Sequence, residues 1–378
     1  MRNRFANTLP FLLPLAASGC ALLLWWGGVF QGFETTLEDR LFGARPVDSR
    51  IVIVAIDSDS IQKIGQWPWP RAVFADFLSA LRTSPPQAVG LDVVFAEPSR
   101  AGAADDAALS RALGTLTYPL VMPLEGSYLD LSRTPAYAAR TLTPLPSFAA
   151  APQVSLGAVN LIIDADSVVR RFPASIAFSQ GTSSAFALET LHRAGISVPQ
   201  EPSGNTRIVY AATTGTVRRI PFSRAREEPA LLKDKIVFVG ATASDLHDEQ
   251  GTPVDRGTKM PGVEIQAEIA NMLIRGYTLT PLAPAAVFAW ILLLGMVPGL
   301  FFARMKRRSL FALAASFGVG LLSSVLIIML FERGVVVPLI HTNLAWMLSA
   351  GTLFTYRYTL ARREIKEVKG VFGKYVSK

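Results

Sequence analysis

IVIVAIDSDSIQKIGQWPWPRAVFADFLSAL, residues 51–81, decides the fold. It opens on a short apolar run rich in β-branched side chains, the pattern of a buried strand. Asp57 closes the run, and Ser58, Asp59 and Ser60 are residue types that begin helices. Beyond WPWPR, the spacing of Phe74, Phe77, Leu78 and Leu81 predicts one apolar face of a helix begun near Pro70. AVGLDVVF at 88–95 reads as the next strand, completing a βαβ unit whose crossover favours parallel pairing.

The same alternation continues outward. DDAALSRAL at 105–113 reads as a short helix and YPLVMPL at 118–124 as a third strand. A Pro- and Ala-rich stretch to about Pro152 gives no clear element. VSLGAVNLIID and VVRRFP flank Ala165-Asp166-Ser167 as a hairpin. A helix at 184–194, strands at 207–210, 217–221 and 235–241, and a helix at 263–275 follow. The expectation for 31–282 is therefore one α/β domain, a mixed and partly parallel sheet flanked by helices. The polar loop 242–261 is long enough to suggest a functional role.

Half of the 378 residues are hydrophobic, too many for an ordinary soluble enzyme. Four runs, 8–30, 285–303, 309–331 and 335–356, reach the roughly 20 residues that span a bilayer, and they hold no acidic or basic side chain apart from His341. Four spans follow, one before the domain and three after it. Residues 31–282 hold 23 Lys and Arg against 26 Asp and Glu, whereas the rest of the chain holds 14 against 3. Arg2, Arg4, the RMKRR turn at 304–308 and the tail from Arg357 carry nearly all of that excess. Basic short loops stay inside, so both termini are expected in the cytoplasm of a bacterial inner membrane and 31–282 outside it. The basic balance thus reports topology, and nucleic acid is not an expected partner. Cys20, the single cysteine, lies within the first apolar run, so the outer domain has no disulfide. Ala17-Ser18-Gly19-Cys20 faintly suggests a lipoprotein cleavage site, but apolar sequence continues to Phe30, which fits an uncleaved anchor better. His341 and Asn343 could mark function within the last span or simply be solvated near its outer end.

The blocks GFETTLEDRLF, IVIVAIDSDSIQKIGQWPWPR, AVGLDVVFAEP, LGAVNLIIDADSVVRRFP, KIVFVGAT and MPGVEIQAEIANML occur in that order before the three closely spaced apolar runs. In this the chain resembles the CHASE-two type of extracytoplasmic sensory domain. That resemblance implies a receptor input, coupled in such proteins to class III nucleotide cyclases, histidine kinases, Ser/Thr kinases or diguanylate cyclases. GVFGKYVS at 370–377 is similar to the segment leading into adenylate/guanylate cyclase domains. The expected organisation is an anchor at 1–30, the sensory domain at 31–282, three membrane helices at 283–357 and a cytoplasmic stub at 358–378. One departure stands out. In the Asp-x-Asp-Gly-x-x-Arg pattern this chain has Ser167 where the resemblance leads one to expect Gly.

No nucleophile elbow, metalloprotease helix, P-loop or paired-cysteine metal site occurs, so neither a catalytic residue nor a cofactor is expected within the chain. A cyclase domain would have to follow the tail. A stand-alone membrane-anchored binding protein is the other class of reading. Carboxylates do gather in the outer domain. Asp57 ends the first strand, Asp92 lies within the second, and Asp245, Asp248 and Glu249 follow the strand at 235–241. Ligands of parallel α/β sheets sit beyond such strand ends, so Asp57, Arg71, Asp92 and Asp248 are the candidate ligand residues, for a polar molecule or a hard cation such as Ca²⁺. The plainer reading is that Asp57 caps a helix and pairs with Arg71. Trp67 and Trp69 either stack on a ligand or wedge the turn into the core. Beyond the last span, Ala361, Ile365, Val368 and Phe372 form a seam suited to a homodimer, or a plain exposed helix.

Overall fold

The structure is a computed structural model that describes residues 2–211, 213–255, 257–305 and 308–376. Side chains of 370–376 and all of Lys306, Arg307 and Ser377 lie outside the described residues, so the GVFGKYVS tail, Phe372 of the seam and the centre of the basic turn do too. The chain divides into two compact units, Phe42–Thr278 on one hand and Met1–Leu41 with Leu279–Lys378 on the other.

Within Phe42–Thr278 the strands are β1 (Ile51–Ile56), β2 (Ala88–Leu91), β3 (Leu120–Asp130), β4 (Ala136–Leu142), β5 (Val154–Ala158), β6 (Ile162–Ile163), β7 (Val169–Pro173), β8 (Ser175–Phe178), β9 (Gly181–Ser184), β10 (Asn205–Arg207), β11 (Arg219–Pro221) and β12 (Ile236–Ala241). Among the described residues nine of these join one sheet, in the order β11-β1-β12-β2-β3-β4-β8-β9 with β5 also on β3. Pairing is parallel from β11 to β3 and between β3 and β5. It is antiparallel between β3 and β4 and between β8 and β9. The sheet is mixed and partly parallel. β1 and β2 are not neighbours, because β12 inserts between them.

The parallel half is buried on both faces, which is why β1 and β12 read as unbroken apolar runs. One face, with Val52, Val54, Val237 and Val239, packs on helix Arg71–Ala80 through Phe74, Phe77 and Leu78. Helices Phe186–Arg193 and Gly262–Arg275 cover the other. Glycines in the strands set how close those helices come. A Cβ on Gly157 would stand 2.6 Å from Phe186 Cα, and one on Gly240 would stand 2.7 Å from Val263 Cβ.

Gly262–Arg275 is buried almost throughout and yet carries polar side chains at intervals. Glu264 accepts from Gly215 N–H at 2.8 Å and pairs with Arg219. Gln266 Nε2 donates to the Val159 carbonyl at 3.0 Å. Glu268 accepts from Ala211 N–H at 2.8 Å, and Asn271 Oδ1 from Asp48 N–H at 2.9 Å. Each satisfies a loop amide or carbonyl that burial would otherwise leave without a partner.

Several elements depart from the sequence reading. The 88–95 run is a strand only to Leu91; Asp92 N–H still donates to the Val239 carbonyl at 2.7 Å, but Val93 N–H turns back to the Leu91 carbonyl at 2.9 Å and takes 93–95 out of the sheet. The stretch before Pro152 contains β4, whose half-exposed side chains leave no apolar pattern. The hairpin forms between β6 and β7, with Asp164 and Asp166 paired to the buried Arg170 at 2.9 and 2.6 Å. Ser167 adopts φ 64°, the left-handed conformation that glycine would take at less cost.

In the other unit, among the described residues, three helices are long and apolar enough to cross a membrane, Thr8–Trp26, Pro284–Arg304 and Ser309–Glu332. The fourth expected run, 335–356, behaves differently. Val335–Val336 pairs as a strand with Thr280–Pro281, and the helix, Leu339–Val376, starts after Pro338 with His341, Thr342 and Asn343 diluting its first turn. His341 is 2 % exposed and therefore not solvated. Its ring lies 3.2 Å from Glu34 and 2.7 Å from the Val29 carbonyl. Glu34 also accepts from the N–H groups of Leu339 and Ile340, capping the last helix from the short helix Gln31–Asp39. Small residues allow close packing here as well, with Gly299 against Pro10 and Pro14 and Gly320 against Trp346.

Gly157→Ala tests the close packing. It should lower the stability of the outer unit by about 1–3 kcal/mol, since a backbone atom stands in the way of relief. Urea unfolding of the full chain in micelles reads this out, and an unchanged midpoint would refute it.

Candidate functional site

The carboxyl ends of β1, β12 and β2 lie side by side, because the three strands are parallel neighbours. Beside them is a cavity of about 280 Å³ whose lining includes Trp67, Arg71, Asp92, Phe95 and Ala241. Of the four residues singled out in the sequence, Arg71 and Asp92 share this cavity. Asp57 does not line it. Its carboxylate accepts from Ser60 N–H at 2.8 Å and caps helix Ser58–Ile64, which is the plainer of the two readings, though Arg71 is not its partner. Asp248 stands behind Asp92, its oxygens against Gly262 at the start of the buried helix. Asp245 is exposed, and Glu249 accepts from Ser244 Oγ at 2.9 Å. Among the described residues no group of three or more His, Cys, Asp or Glu could hold a metal ion.

Arg71 is the first residue of its helix, and the helix N-terminus is capped from elsewhere in the chain. Asp105 accepts from Arg71 N–H at 2.7 Å, Ala72 N–H at 2.8 Å and Ser99 Oγ at 2.6 Å. Burial works against ionisation of Asp105, but these bonds together hold its carboxyl below the usual range. The Arg71 guanidinium stacks over the Phe95 ring at 4.6 Å and donates through Nη2 to the Glu97 carbonyl at 3.0 Å. Its Nε makes no hydrogen bond, Asp106 Oδ1 standing 3.7 Å away. The two tryptophans divide the roles foreseen for them. Trp69 is 2 % exposed and donates Nε1–H to the Gly65 carbonyl at 2.8 Å, as a wedge should. Trp67 remains half-exposed at the cavity, edge-on to Trp69 with centroids 5.3 Å apart.

Burial, with the charges of Asp248 and Glu125 added, pushes Asp92 up to about 7. Burial and Glu249 push Asp248 to about 6. Glu268 is raised to about 7 by burial, with Glu264 contributing. The site thus pairs a permanent cation with a carboxyl that is largely protonated at slightly acidic pH. Sequence reasoning did not find Phe95, Asp105 or Glu125 as neighbours of the site. Asp105 lies 33 residues from the amide of Ala72 it caps, and no local signal announces such a contact.

Residues 15–300 match the CHASE2 domain family, and the chain belongs to it. The domain is an extracytoplasmic sensory domain, so this is a sensor-type chain with apolar helices that could cross a membrane. Neither a curated protein nor a solved structure gives a match.

The raised carboxyls fix a pH dependence. An acid whose folded pKa exceeds its unfolded value stabilises fully below the unfolded value and loses that contribution as pH climbs through the folded one. Asp92, Asp248 and Glu268 therefore make the outer unit less stable between pH 5 and 8, by an amount on the order of a few kcal/mol. Asp48, Asp105 and Asp166, all lowered, act only below about pH 4 and in the opposite sense. Unfolding midpoints should peak near pH 5, and Asp92→Asn with Glu268→Gln should flatten the alkaline slope. A midpoint that rises from pH 5 to 8 would contradict this.

Proposed function

We propose that this chain is the sensory and membrane half of a receptor, with one span before the outer unit, three after it, and both termini in the cytoplasm. The observation that carries the reading is the match of residues 15–300 to a sensory domain family, a range that takes in parts of the apolar helices before and after Phe42–Thr278. The distribution of basic residues supports the direction, since 14 of 17 charged residues outside 31–282 are Lys or Arg. Leu339–Val376 serves as the fourth span in this reading, and its polar first turn is tolerable because Glu34, Val29 and Ser324 supply partners to His341 and Asn343. Detection in the outer unit shifts the membrane helices, and Glu34 ties the stretch after the first span to the start of the helix that leads to the tail. The output is a class III nucleotide cyclase, an inference supported by GVFGKYVS at 370–377. The cytoplasmic part works as a dimer, with Ala361, Ile365 and Val368 on its seam.

Labelling with a membrane-impermeant maleimide tests the direction. In a Cys20→Ser background, Ser179→Cys should label in intact spheroplasts and Arg363→Cys only after lysis. The reverse pattern would overturn the topology. Nucleotide sequence beyond the Lys378 codon should encode a cyclase catalytic domain, and a kinase domain there would replace the proposed output.

A further inference from the structure

Resting on the reading of the outer unit as a sensor, we infer that the cavity lined by Trp67, Arg71, Asp92 and Phe95 binds a small organic acid. One carboxylate meets the Arg71 guanidinium, and a flat apolar body lies against Trp67. Four features of the cavity lead there. Its volume, about 280 Å³, is at the lower edge of pockets that enclose small molecules and leaves no room for a peptide or a nucleotide. Its lining residues are mostly aromatic and aliphatic, but polar atoms form nearly as much of the wall as apolar ones, so the ligand carries both an apolar body and a polar end.

Its fixed charge is Arg71, and the donors of that side chain are not all used. Nε is buried against Asp106 Oδ1 at 3.7 Å and Nη2 donates to the Glu97 carbonyl, but among the described residues Nη1 makes no hydrogen bond and is not enclosed, and Asp105 is taken by two backbone N–H groups and Ser99. Asp106 accepts from Ser99 N–H through Oδ2 at 2.9 Å and faces Arg71 only through Oδ1, on the Nε side of the guanidinium. Stacking on Phe95 holds the guanidinium plane in place before any ligand arrives, which suits recognition of a planar carboxylate. The fourth feature is the far wall. Asp92 is pushed towards about 7 by its burial and by Asp248 and Glu125, so it serves better as an O–H donor to an anion than as a counter-charge to an ammonium group. A dianion such as phosphate is disfavoured by the same three carboxyls and by the apolar part of the walls.

The test uses the full chain in lipid nanodiscs and three probes that share a phenyl ring: phenylacetate, phenethylamine and benzyl alcohol. Calorimetry should show binding of phenylacetate and weaker or no binding of the other two. Arg71→Met should weaken phenylacetate about tenfold or more, the loss expected for one charge-assisted hydrogen bond, with Arg71→Lys intermediate. Ala241→Trp, which fills the cavity, should abolish it. Preference for phenethylamine or benzyl alcohol, or phenylacetate binding that ignores both Arg71→Met and Ala241→Trp, would overturn the inference. So would absence of phenylacetate binding to the wild-type chain, a result that leaves the maleimide labelling pattern untouched and hence separates this failure from failure of the receptor reading.

Discussion

A helix buried on nearly every side, Gly262–Arg275, is the constraint on which the outer unit depends. Helices so placed are usually apolar all round, because each buried polar group costs about 1–3 kcal/mol unless it is paired. Here Glu264, Gln266, Glu268 and Asn271 each bond backbone, and together they reach three segments of the chain. They bind the approach to β1, the exit of β5 and the loop that delivers β11 to the sheet edge. β1 sits between β11 and β12, and β12 sits beside β2. The alignment of strand ends that forms the cavity therefore rests on polar bonds made from the opposite face of the sheet.

The cavity itself is shaped by two interruptions of regular structure. At Asp92 the second strand leaves the sheet after a tight turn, which carries Phe95 under the Arg71 guanidinium. At Arg71 the helix begins with its N-terminus already satisfied by Asp105. A carboxylate from the chain therefore occupies the helix end, and what faces the cavity is the arginine side chain. Charge balance follows from this division of labour. Asp105, held by three hydrogen bonds, stays ionised, while Asp92 and Asp248, buried near one another, are driven towards neutrality.

The sequence patterns that proved readable are those with a single dominant cause. The buried parallel strands at 51–56 and 236–241 and the helix at 71–80 declare themselves by apolar runs and spacing. β4, β8 and β9 do not, since their exposure follows no regular alternation. At the site, Arg71 was legible as a charged group near a predicted helix start and Asp92 as one within a predicted strand. Asp57 was legible too, but a helix cap and a ligand group look the same in sequence. The arrangement around Arg71 was hidden because it depends on Asp105, Asp106 and Phe95, all brought in by tertiary packing. His341 shows the same limit in the other unit: its position in an apolar run was plain, and its partners Glu34 and Val29, some 300 residues away, were not.

The central claim is that a change at the cavity is felt at the helix leading to the tail. Hydrogen exchange on the full chain in nanodiscs measures this directly when Ala241→Trp stands in for an occupied cavity. With protection of β1 and β12 retained, the account predicts altered exchange in residues 339–366. Exchange there identical to wild type, with changes confined to Phe42–Thr278, would contradict it.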